Sequence, residues 1–378
     1  MAKLPHYSRT TLFSVFFLAL FLFFTPEAFG ASDGVSNRLT SLENRWGHLH
    51  LGGQFTLTAD YDHGSYEGSA LQSTSDIRQE LQVFLNARLD RNFDLSLSLI
   101  QQNSYGRQNL SGFIPFLDEA VLRYRSSNFL ADLGRFQFSL DPLGLIADHS
   151  SFPVEGVAVQ TGTQDYYLGG YYSRFKTTYP FPDDIVVSGN ETALRLAFPQ
   201  PGYLVGITVV PCADTAVAVD LMTDIAGGTL QGEAAWYRPG LDDYPEYRHN
   251  GAFGGLLAWK KNLPDSAAFM IKAGAFQEGF FPLFSSLAHA SNNGEFFAPN
   301  TCGLAGEYST VIGNNWELLV KGGLLSALND WPENPQFSFS GRVKKSFSPS
   351  VSLEAGYDSH PLDSGRYGLI ICRLTALF

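Results

Sequence analysis

Apolar and polar side chains alternate one by one over long stretches of this chain, and this pattern constrains the fold more than any other feature. In residues 49–61, Leu51 and Leu57 share one face with other apolar residues, whereas Gln54 and Thr56 share the opposite, polar face. Side chains alternate with a period of 2 along a strand, while a helix, with a period of 3.6, would scramble both sets. The segment therefore predicts a β-strand with one apolar and one polar face.

About eighteen segments of the chain follow this pattern, and no apolar helical stretch lies between them. They are 48–61, 75–89, 93–103, 117–126, 128–138, 154–161, 165–176, 190–198, 202–210, 215–225, 228–238, 251–260, 266–276, 302–311, 315–325, 336–346, 350–358 and 366–378. The same texture runs from end to end without a linker, so we predict one continuous all-β domain over residues 48–378.

The connections between these segments alternate in length. Every second connection is a tight turn: Arg91-Asn92, Ser126-Ser127, Gly162-Thr163, 199–202, 226–228, 262–265, 313–315 and Ser348-Pro349. The others are mostly long: 62–74, 104–116, 139–153, 177–189, 239–250 and 277–301. Short turns on one rim and long loops on the other are typical of β-barrels in bacterial outer membranes, with the turns on the periplasmic side and the loops on the extracellular side.

The physics of lipid explains this combination of features. Every backbone amide in the hydrocarbon must be paired within the protein, so a sheet that spans a membrane has to close on itself. One face then meets lipid and the other meets water, which forces the alternation. The sequence therefore predicts a transmembrane antiparallel β-barrel of about 18 strands, with 16 strands as an alternative. A soluble β-protein with ordinary core aromatics is the competing interpretation.

The N-terminus is typical of an exported protein. A basic start precedes an apolar run at residues 12–24, and the Ala-Phe-Gly of residues 28–30 supplies the small residues that a signal peptidase needs. The run is too short for a comfortable membrane-spanning helix, although an uncleaved anchor is the alternative. We expect residues 1–30 to be a signal peptide and residues 31–47 to be a short periplasmic segment.

Composition argues against several functions. The net charge of −12 does not suit nucleic acid, which would favour a basic face. Three cysteines are too few for a disulfide framework in an exported chain. His48 and His50 share an inward face and could bind a metal, but polar inward residues are expected there in any case. No phosphate loop, nucleophile elbow or zinc helix is present, so we predict no cofactor, no metal and no enzymatic activity.

Residues 366–378 end the chain inside a strand. Phe378 shares one face with Ala376, Leu374, Cys372, Ile370 and Gly368, while Arg373 and Thr375 lie on the other. A terminal Phe preceded by alternating apolar residues resembles the C-terminal signature by which outer-membrane proteins are recognised for insertion. The resemblance implies that Phe378 is an insertion signal read by the barrel assembly machinery.

A second resemblance involves residues 117–137. The stretch LDEAVLRYR leads through NFLADL to GRFQ, and it looks like the acidic strand with RYR, the turn and the GRQ strand of many bacterial porins. Here Phe136 is inserted between Arg135 and Gln137. The resemblance implies a homotrimeric porin that lies among the phospholipid and lipopolysaccharide of the outer membrane and forms a water-filled channel for passive diffusion of ions and small hydrophilic solutes.

The third long loop is the first candidate site. In the porins that the chain resembles, this loop folds into the lumen and narrows the channel. Asp141, Asp148 and His149 are then candidate constriction residues, with Glu155 at the start of the next strand. Carboxylates in a narrow passage interact more strongly with an ion than surface carboxylates do. A solvated surface loop is the alternative.

The second candidate site is a basic patch on the inward face. Bases with inward parity are Arg78, Arg88, Arg123, Arg125, Arg342, Lys344 and Arg373. We assign Arg135 to the same patch, although it shares the parity of Leu133 and would need a β-bulge to turn inward. Arg373 should lie near Arg78, because the last strand must pair with the first. The alternative is that these bases form wall salt bridges with Glu80, Glu119, Glu354 and Asp358.

Two other functions stay open. A membrane-embedded lipase or deacylase would need a His beside a Ser or Thr, and His149-Ser150-Ser151 supplies those residue types. A structural or adhesive barrel with a blocked lumen is the other possibility.

Overall fold

The computed structural model describes residues 49–66, 69–70, 74–105, 116–149, 153–179, 185–211, 215–238, 251–264, 266–280, 297, 300–330, 335–362 and 365–378. The predicted signal peptide at 1–30, the segment 31–47 and His48 lie outside the described residues.

Over these residues eighteen long strands form one antiparallel sheet, so the predicted strand number is confirmed over the alternative of sixteen. They are β1 (Leu49–Tyr66), β2 (Thr74–Arg88), β3 (Phe93–Tyr105), β4 (Phe116–Arg125), β5 (Phe129–Phe136), β6 (Val154–Gly162), β7 (Tyr167–Tyr179), β8 (Ile185–Gln200), β9 (Tyr203–Pro211), β10 (Thr215–Ile225), β11 (Gly228–Arg238), β12 (Ala252–Asn262), β13 (Ala268–Phe276), β14 (Thr301–Ile312), β15 (Trp316–Ala327), β16 (Gln336–Ser348), β17 (Val351–Leu362) and β18 (Gly365–Leu377).

The sheet closes into a barrel. Each strand pairs with its neighbours in sequence, and β18 pairs with β1 from Gln54↔Leu377 to Tyr66↔Gly365. A two-residue strand, Ser69–Ala70, pairs with the loop end of β1 and adds nothing to the wall. Closure gives each of the eighteen strands two partners, which removes the unpaired edges that lipid could not satisfy.

The strands extend further on the loop side than the alternation predicts. β1 continues to Tyr66, and β7 and β8 remain paired as far as Tyr179↔Ile185. Ladder hydrogen bonds are made by the backbone, so pairing continues where side chains no longer alternate. On the other rim, the connections between the strands are all short, as predicted.

The outward face is apolar and exposed. Large hydrophobic side chains on it include Leu99, Leu133, Leu194, Val219, Phe253, Leu304 and Phe337. A soluble protein rarely exposes so large a contiguous apolar surface, whereas lipid covers it. No helix in the described part of the chain is long and apolar enough to cross a membrane.

The core lies inside the barrel, against one side of its wall. From β6 to β12 the inward positions are rich in buried alanines: Ala158, Ala193, Ala197, Ala216, Ala218, Ala235, Ala252 and Ala258. Alanine side chains leave space next to the wall. The connection between β5 and β6 begins with residues 137–149, hereafter loop 3, which fill that space with Phe138, Leu140, Leu145 and Ile146.

Candidate functional site

Loop 3 folds into the lumen as an irregular hairpin. The Leu140 amide donates to the Ala147 carbonyl at 3.0 Å, and the His149 amide donates to the Phe138 carbonyl at 2.7 Å. Leu145, Ile146 and Ala147 are buried. Gly169, an inward glycine on β7, leaves room for Leu140, because a Cβ there would lie 2.9 Å from its Cδ2. The loop is therefore packed on the alanine-rich wall.

One end of loop 3 is fixed to β7 and β8 by a buried polar cluster. Tyr171 of β7 donates its hydroxyl hydrogen to Glu191 Oε1 of β8 at 2.5 Å. His149 Nε2 lies 2.9 Å from the Tyr171 hydroxyl and 3.1 Å from Glu191 Oε2. All three side chains are buried. Buried polar groups need such partners, so this cluster fixes the loop to the wall.

The apex of loop 3 is fixed further round the barrel, at β11. Glu233 Oε2 accepts the Leu143 amide hydrogen at 3.0 Å. The Asp141 carboxylate accepts the amides of Ile146 at 2.8 Å and Ala147 at 3.1 Å, which holds the apex in its turn. Burial raises the pKa of Asp141 above its ordinary value, although the hydrogen bonds from Glu233 and Ile146 oppose the rise.

These contacts define what the predicted constriction residues do in the structure. Asp141 and His149 are 4% and 1% exposed and hold loop 3 in place, so their side chains do not line an open passage. Asp148 is partly exposed and lies against Gly144, whose φ of +70° suits glycine.

Glu155 and Arg135 lie on the outside of the barrel, which corrects their assignment to the lumen. Arg135 is in register with Ala120 and with Glu155, and its Nη1 lies 3.6 Å from Glu155 Oε1. The pairing of β5 with β4 and β6 has no register shift. Period-two alternation therefore keeps Arg135 on the face of Leu133, and Glu155 on the face of Val157.

A buried ion pair bridges β8 and β10. Arg195 makes two hydrogen bonds to Asp220, of 2.5 and 2.8 Å, and a third to Thr208 at 3.2 Å. Gly206 of β9 gives the pair its space, since a Cβ there would lie within 2.6 Å of both charged groups. The pair thus links β8, β9 and β10 on the inward face of the wall.

Three phenylalanines in and beside the connection between β13 and β14 also face inward. Phe276 at the end of β13, Phe280 and Phe297 are fully buried and pack with Tyr237 of β11. Glycine at position 254 accommodates them, because a Cβ there would lie 2.6 Å from the Phe276 ring. This aromatic cluster and loop 3 together occupy one side of the lumen.

The opposite side of the lumen is polar, and the described residues do not fill it. A cavity of about 620 Å³ lies between β1–β3 and β16–β18. Its lining includes Gln54, Thr56, Thr58, Arg78, Glu80, Gln102, Asn103, Lys344, Ser346, Ser352, Glu354, Arg373 and Thr375. We call this side the open half of the lumen.

Two bases of the open half lie at the closing seam. Arg373 of β18 and Arg78 of β2 are both in register with Thr58 of β1, so they flank it. Each has an acidic neighbour: Arg78 lies 2.6 Å from Asp60, and Arg373 lies 3.8 Å from Glu354. Further round the wall, Arg342 pairs with Glu354 and Asp358, and Lys344 pairs with Glu317.

A separate row of charges runs across the turn-side ends of β2–β5. Arg88, Asp94, Arg123 and Asp132 follow one another in register, and Arg123 makes two hydrogen bonds to Asp132, of 2.6 and 2.8 Å. Arg125 is exposed at the turn-side end of β4. The predicted bases thus form two rows interleaved with acids instead of one patch, because alternating charges avoid repulsion across the wall.

Sequence reasoning missed Tyr171, Glu191, Arg195, Asp220 and Glu233, although a signal was present. On β8 the inward face reads Glu191, Ala193, Arg195, Ala197, and Glu233 of β11 is followed by Ala235. A charged side chain among alanines has no partner on its own strand, so it needs one from another element.

The C-terminus seals the barrel at the seam. Phe378 and Gly53 exchange backbone hydrogen bonds of 2.8 and 3.0 Å. The Phe378 ring lies directly over Gly53, where a Cβ would come within 2.2 Å of it. Gly53 therefore leaves the space that the terminal ring occupies on the outward face.

No family model and no curated protein matches the sequence. Solved structures do match. Pseudomonas aeruginosa OpdQ superimposes with a TM-score of 0.59 at 9% identity, covering 87% of this chain and 98% of its own. Acinetobacter baumannii OccAB4 superimposes with a TM-score of 0.59 at 11% identity, and the match covers 87% of this chain and 98% of OccAB4. The structure of Pseudomonas aeruginosa OccK2 (OpdF) in complex with glucuronate superimposes with a TM-score of 0.57 at 9% identity. That match covers 87% of this chain and 98% of OccK2.

These proteins are outer-membrane porins. The chain has a porin fold. At such low identity the similarity establishes the architecture alone, and the predicted transmembrane β-barrel is confirmed at that level.

Proposed function

We propose that this protein is an outer-membrane porin: a water-filled channel through which ions and small hydrophilic solutes diffuse passively. The observation that carries the proposal is the open half of the lumen. Loop 3 is bound along the opposite wall by its own anchors, and the described residues leave a polar, charge-lined cavity of about 620 Å³ between β1–β3 and β16–β18. In a channel that runs through this cavity, selectivity follows from the width and from the charges that line it.

We also propose where the protein lies and with what it assembles. The exposed apolar outer face requires a bilayer, and the terminal Phe378 suits an insertion signal read by the barrel assembly machinery. Assembly as a homotrimer among phospholipid and lipopolysaccharide follows from the porin resemblance. Chemical cross-linking of the purified protein in mild detergent tests the oligomeric state.

The enzymatic alternative has little support. A lipase or deacylase needs a histidine that reaches the substrate at the barrel wall. His149 is 1% exposed and is bound by Tyr171 and Glu191 between loop 3 and the wall. A barrel with a blocked lumen is likewise less well supported, because a cavity of about 620 Å³ remains beside loop 3.

The decisive experiment is single-channel recording in planar bilayers. We expect discrete conductance steps, and in a salt gradient a reversal potential that gives the ion preference. Addition of glucuronate, the ligand in one of the matching structures, then tests whether an organic anion interrupts the current. Folded protein that inserts but gives no steps would contradict the channel function. Hydrolysis of lipid by the pure protein, lost in His149→Ala, would favour the enzyme.

A further inference from the structure

Three charged side chains lie side by side on the outside of the barrel wall. Arg135 of β5 is in register with Glu155 of β6, and Glu155 is in register with Arg174 of β7. Period-two alternation keeps Arg174 on the face of Tyr172, which is 50% exposed on the outside. The outward wall of β5–β7 thus carries a row of two bases and one acid.

This row lies at the loop-side edge of the apolar outer surface. One step toward the turns, the outward residues in register are Leu133, Val157 and Tyr172, and all three are exposed. Arg135 is the last residue but one of β5, and Glu155 is the second residue of β6. The loops of outer-membrane barrels face the exterior. The row therefore lies where the apolar surface for the outer leaflet ends and the lipid headgroups begin.

Arg174 is not paired with an acid of the described chain. Its side chain is exposed, and within the described residues no hydrogen bond or ion pair involves its guanidinium group. Glu155 Oε1 instead lies 3.6 Å from Arg135 Nη1. Arg135 also donates from Nε to the Asp118 carbonyl at 3.1 Å, which orients its guanidinium group. Two bases and one acid leave the row with one positive charge in excess.

The excess charge needs an anion from outside the protein, because a charged group on the lipid-facing wall is unfavourable. Neighbouring strands are about 4.8 Å apart, so the Cα atoms of Arg135 and Arg174 are separated by about 10 Å, and both long side chains can reach one group between them. Guanidinium groups bind phosphate through paired hydrogen bonds. A phosphate monoester offers three acceptor oxygens and a charge of about −1.5 to −2, whereas the diester of a phospholipid has one charge and two free oxygens. A monoester at headgroup level therefore fits the two arginines best.

A second copy of the chain does not supply this anion. Outside the β-bulge of β4, alternation in the described strands places Glu155 and no other acidic side chain on the outward face. The outward bases include Lys261 and Lys345. A neighbouring subunit would therefore add positive charge to a row that already has an excess of it.

We propose that Arg135 and Arg174 bind a phosphate group of lipid A, the phosphorylated disaccharide anchor of lipopolysaccharide. We call the two residues the arginine pair. Asn190 of β8 is exposed and in register with Arg174, and it extends the polar row. The apolar residues on the turn side of the row contact the acyl chains of the same lipid, and Glu155 competes with the phosphate for Arg135. The inference rests on the proposed outer-membrane location and does not depend on conduction.

The test is lipid binding to the purified mature protein in mild detergent without divalent cations, measured by native mass spectrometry. The probes are lipid A with its phosphates and the same lipid A after dephosphorylation, which should bind at least about tenfold more weakly. Arg135→Gln and Arg174→Gln should each weaken binding of the phosphorylated form by roughly tenfold, because each removes hydrogen bonds to a charged group. Glu155→Gln should strengthen it by up to about fivefold, since the phosphate then has no competitor. A purely structural ion pair would not produce this increase.

Arg238→Gln is the matched control, because Arg238 is an exposed, outward arginine at the loop-side end of β11, opposite Thr215. If Arg238→Gln weakens binding as much as Arg174→Gln does, general charge attraction holds the lipid and the arginine pair is not a site. Equal binding of the two lipid A forms would overturn the proposal, as would displacement by equal concentrations of phosphatidylglycerol or inorganic phosphate.

A change of oligomeric state in Arg174→Gln with unchanged lipid binding would overturn the proposal in favour of a subunit contact. The comparison of the two lipids on the wild type stands even if a variant fails to fold. Failure of the wild type to prefer the phosphorylated lipid would leave the channel function intact, because conductance is measured separately.

Discussion

Arg195 and Asp220 carry opposite charges inside the barrel with almost no access to water, at 4% and 2% exposure. The desolvation of two buried ions is compensated only while both remain paired. Their two hydrogen bonds, together with the space left by Gly206, show that the wall is built around this pair. The loss of stability when either residue is replaced therefore depends on the buried charge that its partner is left with.

We expect Arg195→Met to lower the free energy of unfolding by about 3–5 kcal/mol, because Asp220 is left buried and uncompensated. The double variant Arg195→Met/Asp220→Leu should recover most of this loss. The measurement is urea unfolding of the detergent-solubilised barrel, followed by tryptophan fluorescence. Arg78→Met is the control: the Arg78 side chain is 56% exposed beside Asp60, so the loss should stay below about 1 kcal/mol. Equal effects of the two single variants would argue against a special role for the buried pair.

Gly53 is a second residue whose importance depends on its neighbour. Replacing glycine by alanine inside a strand normally stabilises by roughly 0.5–1 kcal/mol. At Gly53 the new methyl group would meet the Phe378 ring and lie 3.0 Å from the Gln82 carbonyl oxygen.

We therefore expect Gly53→Ala to destabilise the barrel by about 1–3 kcal/mol, as overpacking does. The readout is the temperature at which the folded, fast-migrating form is lost on a gel. Gly306→Ala is the matched control, because a methyl group there would lie 3.9 Å from its nearest neighbour, the Met270 carbonyl oxygen. A Gly53→Ala barrel as heat-stable as Gly306→Ala would mean that the terminal ring does not support the seam.

At the scale of the element, loop 3 behaves as an inserted part of the core. Its position depends on three features that are distant in sequence: small inward residues on β6–β12, the His149–Tyr171–Glu191 cluster and the hydrogen bond from the Leu143 amide to Glu233. Two anchors at opposite ends of the hairpin hold it more firmly than one could, since release of either end leaves the other bound.

The anchor at β7 and β8 is tested by Tyr171→Phe. Loss of the hydroxyl leaves Glu191 Oε1 without its donor in a buried site, which costs about 1–3 kcal/mol. We expect lower stability against urea and faster protease cleavage within loop 3. Tyr172→Phe is the control on the same strand, because Tyr172 faces outward and is 50% exposed. If both variants resist protease equally, the cluster does not hold the loop.

At the scale of the whole molecule, the lumen is divided into a packed side and an open side. Loop 3 and the Phe276, Phe280 and Phe297 cluster fill the side of β6–β14, while the charges at the seam line the other. A solute that crosses the channel should therefore sense Arg78 and Arg373, and should not sense the buried acids of loop 3.

We expect Arg78→Gln combined with Arg373→Gln to shift the reversal potential in a salt gradient toward cations. The change removes two positive charges from the open half and leaves Asp60 and Glu354 less compensated there. Arg135→Gln is the control of equal chemistry, because Arg135 lies on the outside of the barrel. A reversal potential that moves equally in the control would place the filter elsewhere.

Much of the architecture could be predicted because it depends on local pattern. Strand β2, predicted at 75–89 and observed at Thr74–Arg88, is typical: alternation fixes its face and its turn fixes its end. Alternation did not predict the loop-side ends of β1, β7 and β8, because the backbone pairing there continues beyond the last alternating side chains. The neighbourhood of Arg78 and Arg373 was also predictable, because closure brings the last strand to the first.

The site was predictable only in part. The third long loop does enter the lumen, but the partners of Leu143 and His149 lie 90 and 22 residues away, on β11 and β7. Period-two alternation shows which face of a strand a residue lies on, but it does not show which residue of the loop will reach it. Arg135 shows the opposite case. Its alternation with Leu133 predicted a position on the outside of the barrel, which is correct. The resemblance of its motif to the porins predicted a position in the lumen, which is wrong.

The sequence by itself determined the class of fold, a strand number of about eighteen and the two faces of the strongly alternating strands. Those properties follow from alternation, turn length and the need to pair every amide in lipid. Only the tertiary structure decided which side of the lumen stays open and that Asp141 faces Glu233 instead of a passing ion. These contacts join residues that are far apart in the sequence, and a local sequence pattern does not predict which of them meet inside the barrel.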